Sequence, residues 1–408
     1  MSNLFKMAFR DLGRNRRRTF FSALALALGL TLLLLMAGVI RWELQSSTDK
    51  SVILQSGNLQ VRASSYNEDK TSLAFQDLIA NPDQVAAQIA SLEPVSVATP
   101  RLYASGIVAT GDETAGVRIV GIDVTSPANA PYRDGLVSGQ FIAADDSGGI
   151  LIGQTLADKM ALRAGDSTTL LINTSNGSVD QQTFVIRGVY TTHTPGYDGA
   201  IVFMPLAKAQ AFAQAGNHAS LIFILLKDAQ QAPAVVAALK SSSYTVKTFE
   251  DMNPLLVQVD DLANSFMYVL YLIVLAMVAT VIINTFIMAV FERTREIGIL
   301  AAIGMRGSRI MAMFFSESVL LAILGIAMGL VVGVPLVLLL GTVGIPPVGN
   351  LGLGLMGFLI GDRIYTYLTL SDTITLTVMA LVVTILAAYY PARLAAQMEP
   401  VEALRSAQ

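Results

Sequence analysis

The chain has 408 residues, of which 53% are apolar and only 14% are charged, and its formal net charge is −3. Soluble domains carry about 25% charged residues, so this composition, with a mean hydropathy of +0.57, indicates a membrane protein. The chain has no cysteine, which excludes disulfides, thiol catalysis and cysteine metal sites. The slightly acidic charge balance indicates no nucleic-acid partner.

Residues 1–19 are predicted to form a cytoplasmic amphipathic helix that lies along the membrane surface. Its apolar side chains would face lipid, while its arginines suit anionic headgroups. The alternative is that these arginines act only as a topology signal. The predicted membrane-surface residues are Arg10, Arg14, Arg16, Arg17 and Arg18.

Four segments are apolar over the roughly 20 residues that a transmembrane helix needs. The predicted spans are 20–41, 262–291, 310–340 and 373–390. The apolar core of the first span is longer than the roughly 7–15 residues of a signal peptide's apolar region, so we interpret it as a retained anchor.

The positions of Lys and Arg predict how the spans are oriented. These residues concentrate before the first span, between the second and third, and after the fourth. The positive-inside rule therefore places both termini, the loop 292–309 and the tail 391–408 in the cytoplasm. The segment 42–261 and the loop 341–372 are then predicted to lie on the opposite side of the membrane.

The segment 42–261 has the alternating apolar pattern of short strands, interleaved with short helical stretches. Its last part, 221–249, predicts a strand–helix–strand unit of the βαβ type. Two lobes are predicted, one from about 42–100 with 200–261 and one from 100–200. The predicted fold class is an α-helical membrane protein with four transmembrane helices plus a large extracytoplasmic α+β domain between helices one and two.

The outer segment shows no arrangement of residues that is typical of catalysis. His193 and His218, the two histidines, have no partners at the spacing of a triad or a zinc site. The sequence also lacks the phosphate-binding motif G-x-x-x-x-G-K-[ST]. We therefore interpret the chain as a non-catalytic subunit with no catalytic residues, no metal site and no cofactor of its own.

The third span carries one acidic residue and a glycine repeat. Glu317 lies in an apolar environment, where an acid is costly and usually functional or paired. We favour a packing role with Arg309 or a neighbouring helix over a proton or substrate site. The glycines of a G-x-x-x-G-x-x-x-G repeat share one helix face, which allows close helix approach. We expect packing within the chain, or contact with span two of this chain or of a second copy of the protein. The glycines are Gly325, Gly329 and Gly333.

The loop between spans two and three combines charged and apolar residues in "FERTREIGILAAIGMRG" (291–307). A simple chain reversal would not need so many isoleucine and leucine side chains. A short helix of this composition, closed by Gly304, suits a groove on a soluble partner. The alternative is an interfacial helix that lies on lipid.

Four stretches together resemble permeases of the MacB/LolC/LolE/FtsX superfamily, also called type VII ABC permeases. They are 7–30, 291–325, 389–405 and the outer-domain pair 148–172 with 187–212. In this family the second stretch forms a coupling helix that seats on the partner ATPase. The residues that match the family motif are Glu292, Arg293, Glu296, Ile297, Gly298, Leu300, Gly304 and Glu317. The predicted ATPase-coupling residues are those from Glu292 to Gly304 in this list together with the apolar Ile303.

The resemblance implies a permease in the bacterial inner membrane, working with two ABC ATPase subunits and with a second permease copy or a paralogue. ATP and Mg would be bound by the ATPase, and hydrolysis would drive motions of the outer domain. The layout is closest to the LolC/LolE permeases, which implies lipoprotein release or export, with a lipoprotein or a periplasmic carrier as a further partner. The alternatives are MacB-like efflux, FtsX-like regulation of a periplasmic partner, or a membrane-anchored sensor without an ATPase.

Overall fold

The structure is a computed structural model that describes residues 16–67, 71–239, 244–346 and 363–398. Arg10, Arg14 and residues 399–408, for which the sequence makes predictions, lie outside this part, as does the side chain of Arg18. The described residues form two compact units, a helical unit and an α+β unit that lies within Gln45–Gln258.

The helices have the following bounds. The α-helices are α1 (Arg16–Ser51), α2 (Pro82–Ala90), α3 (Ala130–Asp134), α4 (Gln154–Lys159), α5 (Pro195–Asp198), α6 (Leu206–Phe212), α7 (Ala232–Leu239), α8 (Phe249–Met252), α9 (Pro254–Glu292), α10 (Thr294–Ala302), α11 (Gly307–Val343) and α12 (Leu370–Ala396). A π-helical turn at Val52–Ser56 follows α1, and short 3-10 helices lie at Phe75–Asp77, Pro127–Asn129 and Ala229–Gln231.

The strands are β1 (Leu59–Ala63), β2 (Ile79–Ala80), β3 (Val95–Thr110), β4 (Glu113–Ile122), β5 (Leu136–Gly139), β6 (Gly149–Gly153), β7 (Ser167–Asn173), β8 (Val179–Tyr190), β9 (Ile201–Pro205), β10 (His218–Ala219), β11 (Leu221–Leu226) and β12 (Tyr244–Thr248). β2 and β10 pair with each other, and the other ten strands form one sheet.

Four helices of the described part, α1, α9, α11 and α12, are long and apolar enough to cross a membrane. All four extend beyond the predicted spans. α1 continues to Ser51 because the residues after Arg41 include neither Gly nor Pro. α9 already begins at Pro254, a residue type that favours the first helical position. At a rise of 1.5 Å per residue, α1 and α9 are each more than about 50 Å long.

The glycine repeat of α11 packs against α1. A Cβ atom at Gly325 would lie 2.7 Å from Leu26 Cδ2, and one at Gly333 would lie 2.9 Å from Leu34 Cδ1. At Gly329 the Cβ would lie 3.1 Å from the Ala27 carbonyl oxygen. Of the alternatives that the sequence left open, the structure shows packing within the chain, against the leucine face of α1 and not against span two, and contact with a second copy stays a prediction. α9 instead approaches α1 at Gly29, where a Cβ would lie 2.5 Å from Val278 Cγ2.

We expect Gly329→Leu to destabilise the helical unit, because its side chain would push α11 away from α1. Overpacking of this kind costs about 1–3 kcal/mol. The matched control is Ala327→Leu, which adds a similar volume at an exposed position of the same helix. Thermal unfolding of the purified chain in detergent measures both, and equal midpoints for the two variants would contradict the assigned packing.

The far end of α1 is joined to α12 by polar contacts. Arg41 donates two hydrogen bonds to Asp372, with Nη2 3.0 Å from Oδ1 and Nε 3.2 Å from Oδ2. Asp372 also accepts from the hydroxyl of Thr369, the residue that caps α12. The backbone N–H of Tyr367 donates to the carbonyl of Gly38 at 2.9 Å. The segment before α12 is thereby fixed to α1.

Six strands of the α+β unit close into a ring. β3, β4, β9, β6 and β8 pair in that order, and β7 pairs with both β8 and β3. Alternate residues of these strands form one buried cluster, as expected when one face of each strand points inward. The cluster includes Leu102 and Ala104 of β3, Val117 and Ile119 of β4, and Leu170 and Ile172 of β7.

The remaining strands extend the sheet from the ring. β1 lies between β11 and β12 and is antiparallel to both. The predicted βαβ unit at 221–249 is therefore split by β1, which sequence spacing did not reveal because β1 comes about 160 residues earlier in the chain. β11 pairs with β3, so one sheet crosses both predicted lobes, and their boundary stays a prediction.

Candidate functional site

The loop between α9 and α11 is built around the nine-residue helix α10. Its end forms a Schellman motif, in which the Met305 N–H donates to the Leu300 carbonyl and the Gly304 N–H to the Ala301 carbonyl, each at 3.0 Å. Gly304 has φ +95°, a conformation that other residues rarely adopt. The structure thus confirms that Gly304 closes this helix.

One face of α10 is anchored in the helical unit. Ile297 is 1% exposed and belongs to the buried cluster of α1, α9, α11 and α12. Gly298 is also buried, and Leu300 is half-buried. The inner face therefore holds α10 against the helices and leaves little area there for a partner.

The other face of α10 is open. Ile299 is 43% exposed and Ile303 is 80% exposed, although both are large and apolar. With the exposed Arg295 and Glu296 they lie three or four residues apart, on one side of the helix. We call these four residues the exposed stripe. An apolar centre flanked by one positive and one negative charge is typical of a protein contact surface.

The helix α10 is tied to α11 by a buried ion pair. Arg293, the residue before α10, places Nη1 3.6 Å from Oε2 of Glu317 in α11. The two side chains are only 6% and 4% exposed. The structure thus pairs Glu317 with a residue of the coupling motif, where the sequence suggested Arg309 or a neighbouring helix. A displacement of α10 must therefore either move α11 with it or break a buried ion pair.

Apart from the half-buried Leu300, the predicted coupling residues divide into two groups. Exposed are Glu292, Glu296, Ile303 and Gly304, whereas Arg293, Ile297 and Gly298 are buried. Arg295 was not predicted as a contact residue, although its spacing to Ile299 could have indicated it. Of the predicted membrane-surface residues, Arg16 and Arg17 are described and are exposed at the start of α1.

Two polar residues of the α+β unit that the sequence brings to notice, His218 and Asp146, have structural partners. Nδ1 of His218 lies 2.9 Å from the Ala215 carbonyl oxygen, and its ring packs against Phe75. Asp146 accepts a 2.6 Å hydrogen bond from Arg187, which holds the pKa of this carboxyl below its usual value. Within the described ranges no group of three or more potential ligands could hold a metal ion.

These features define a class of protein, the multi-pass membrane permease of the ABC type. Four apolar helices carry a large α+β domain between the first and second, and a loop helix lies before the third. The MacB-like periplasmic core domain matches residues 19–242, more than half of the chain, and the FtsX-like permease C-terminal domain matches 268–400. The chain therefore belongs to the family of MacB- and FtsX-like permeases, which confirms the resemblance. This match and the four helices fit a multi-pass inner-membrane protein.

Named relatives agree with this family. The chain is 22% identical to the lipoprotein-releasing system transmembrane protein LolC of Neisseria meningitidis serogroup B, over 95% of this chain and 94% of that protein. It is 27% identical to the macrolide export ATP-binding/permease protein MacB of Rhodospirillum rubrum, over 98% of this chain but 59% of that protein. The crystal structure of the periplasmic region of MacB from Actinobacillus actinomycetemcomitans is also similar, with 14% identity and a TM-score of 0.35 over 50% of this chain and 96% of that one.

Proposed function

We propose that this chain is the membrane subunit of an ABC-type complex that releases lipid-anchored proteins from the membrane. The observation that carries the proposal is the helix α10, whose inner face is anchored in the helical unit while its outer face exposes Ile299 and Ile303. The match to LolC from end to end supports the lipoprotein class of substrate.

In this proposal the exposed stripe seats in a groove of a separate ATPase subunit. Two ATPase subunits and two permeases, identical or paralogous, would form the complex. ATP and Mg would be bound by the ATPase, so this chain would be non-catalytic. Movement of the ATPase would displace α10, and the Arg293–Glu317 ion pair would pass that displacement to α11.

The proposed orientation places α10 and both termini in the cytoplasm and the α+β unit on the periplasmic side. The distribution of Lys and Arg supports it, because Arg16, Arg17, Arg295, Arg306 and Arg309 lie at the ends that would face the cytoplasm. A released lipoprotein would then pass to a periplasmic carrier.

The experiment is release from proteoliposomes that contain the chain, its ATPase and a lipid-anchored reporter protein. We expect ATP, but not a non-hydrolysable analogue, to move the reporter into the soluble fraction when a carrier is present. Omission of the ATPase is the control for spontaneous release. Hydrolysis of ATP without release, combined with export of a small molecule, would instead support MacB-like efflux.

A further inference from the structure

The backbone carbonyl of Leu54 receives an unusual concentration of hydrogen-bond donors. Leu54 lies in the π-helical turn Val52–Ser56, which directly follows α1. Its carbonyl oxygen is 2.9 Å from the hydroxyl of Tyr132, 3.0 Å from that of Tyr197 and 3.3 Å from Nη1 of Arg101. The three side chains come from α3, α5 and β3, so three elements of the α+β unit meet at one backbone atom.

The turn depends on a glycine at its end. In a π-helical turn the hydrogen bonds span five residues, as in the 2.8 Å bond from the Gly57 N–H to the Val52 carbonyl. Gly57 has φ +68°, and a Cβ atom there would lie 2.7 Å from the carbonyl oxygen of Ile224 in β11. The chain thus leaves α1 through a turn that admits only glycine at its end and presents the Leu54 carbonyl to the core.

The side chains that donate to Leu54 are buried, so their polar groups lose their hydration at a cost in free energy. Arg101 is 1% exposed and Tyr132 is 0% exposed. Burial raises the pKa of Tyr197 well above its usual value, so its hydroxyl stays protonated and can donate. The Arg101 guanidinium lies 3.6 Å from the ring centroid of Phe223, a cation–π contact. Its Nε and Nη2 have no hydrogen-bond partner among the described residues.

Tyr132 and Tyr197 have fewer hydroxyl protons than hydrogen-bond contacts. The hydroxyls of Tyr132 and Tyr197 are 2.8 Å apart, and each also lies within 3.0 Å of the Leu54 carbonyl. Two hydroxyl protons serve three short contacts, because each hydroxyl can donate only one. If one tyrosine loses its hydroxyl, the other can still donate to Leu54.

We propose that Arg101, Tyr132 and Tyr197, together the Leu54 clamp, form the joint through which a displacement of α1 enters the periplasmic domain. This inference rests on the proposed function. Because the π turn continues directly from α1, any axial movement of the helix end acts on the Leu54 carbonyl. Tyr132 and Tyr197 pack on the outer face of the ring with Tyr103, Tyr190 and Phe203, so the clamp transfers that movement to the strands. The three are positioning residues and take no part in chemistry.

Tyr190 provides a matched control. It is 0% exposed and its ring packs 5.6 Å from that of Tyr132, but its hydroxyl donates to the Ile201 carbonyl at 3.2 Å. Tyr190→Phe therefore removes a buried hydroxyl from the same cluster without affecting Leu54. A role of the tyrosines in packing alone would make this variant resemble the clamp variants.

The experiment follows hydrogen–deuterium exchange of the outer domain in the full chain assembled with its ATPase in lipid nanodiscs. We expect ATP to change exchange in β3 to β9, and Tyr132→Phe/Tyr197→Phe to reduce this change about fivefold or more, the size expected for loss of a buried hydrogen bond. Each single variant should retain most of the change, because the remaining hydroxyl still donates to Leu54. Tyr190→Phe should respond like the unaltered chain.

Three results would overturn the inference. They are an unchanged ATP response in the double variant, an equal loss in Tyr190→Phe, and no ATP response of the outer domain in the unaltered chain. Thermal unfolding of each preparation shows whether the double variant is folded. If it is not, each single tyrosine variant is combined with Arg101→Lys, and these variants are compared with the unaltered chain instead. Release of a lipid-anchored reporter is measured in parallel. If release fails while the ATP response persists, the proposed substrate class is wrong and the joint still stands.

Discussion

Replacing Ile303 with glutamate is expected to abolish recovery of the ATPase with this chain. Ile303, the residue that directly follows α10, is the most exposed large apolar residue of the loop, and in the proposed complex it would be covered by the partner. An unpaired carboxylate buried at such a contact loses its hydration, and we expect at least about a tenfold loss of recovered ATPase, equivalent to 1.4 kcal/mol of binding free energy. The measurement is the ratio of the two proteins after affinity purification in mild detergent.

The matched control is Ser308→Glu, which adds the same charge to an exposed position at the start of α11 and outside the stripe. An acid in a first helical turn is favourable, so this variant should fold and retain the ATPase. Leu300 and Gly298 are poorer probes because they are half-buried and buried, and changes there would also disturb the fold. If Ile303→Glu retains the ATPase in full, the exposed stripe lies on lipid and the docking proposal fails.

Replacing Glu317 with alanine is expected to destabilise the helical unit more than Gly329→Leu does. The change removes the carboxylate whose Oε2 lies 3.6 Å from Nη1 of Arg293, a side chain that is only 6% exposed. Removing one partner of a buried ion pair costs about 3–5 kcal/mol. Thermal unfolding in detergent should show a midpoint well below that of the unaltered chain.

Two variants test this interpretation of Glu317. Arg293→Met/Glu317→Leu replaces both charges by apolar groups of similar volume and should recover most of the stability, because neither charge is then left alone. Glu296→Ala removes an acid from an exposed position of the same loop and should change stability by less than about 0.5 kcal/mol. A single Glu317→Ala variant as stable as Glu296→Ala would show that the ion pair contributes little.

The helices and many strands of this protein could be predicted because their signals are local. Apolar runs identified the four spans, and the alternation of Leu59 and Val61 identified β1. Gly304 ended α10 because a positive φ is a requirement of the backbone at that residue. The composition of α10 also indicated a contact helix, since apolar residues in a short loop need a surface to cover them.

The sequence could not predict which face of each element is buried, because this depends on the elements that pack against it. The sequence did not show that Ile297 points into the helices while Ile303 points away from them. It also left the partner of the glycine repeat open, since Gly325 is compatible with any partner that offers a smooth leucine face. Only the three-dimensional arrangement selected Leu26 of α1.

The Leu54 clamp shows most clearly what sequence reasoning missed. Its donors lie 47, 78 and 143 residues from Leu54 along the chain, and no local pattern links them. Tyr197 lies within the stretch 187–212 that carries part of the family resemblance, but the sequence assigned it no role. The side chains became recognisable as a group only when β3, α3 and α5 came together on the outer face of the ring.

The central claim is that this chain is the permease of an ABC-type complex with a separate ATPase. The most direct test is to purify the unaltered chain from its native membrane in mild detergent and to identify by mass spectrometry what accompanies it. The account predicts an ABC ATPase in equal ratio to the permease, with a lipid-anchored protein in the same sample. Absence of any ATPase across several detergents would contradict the account and would favour a membrane-anchored sensor.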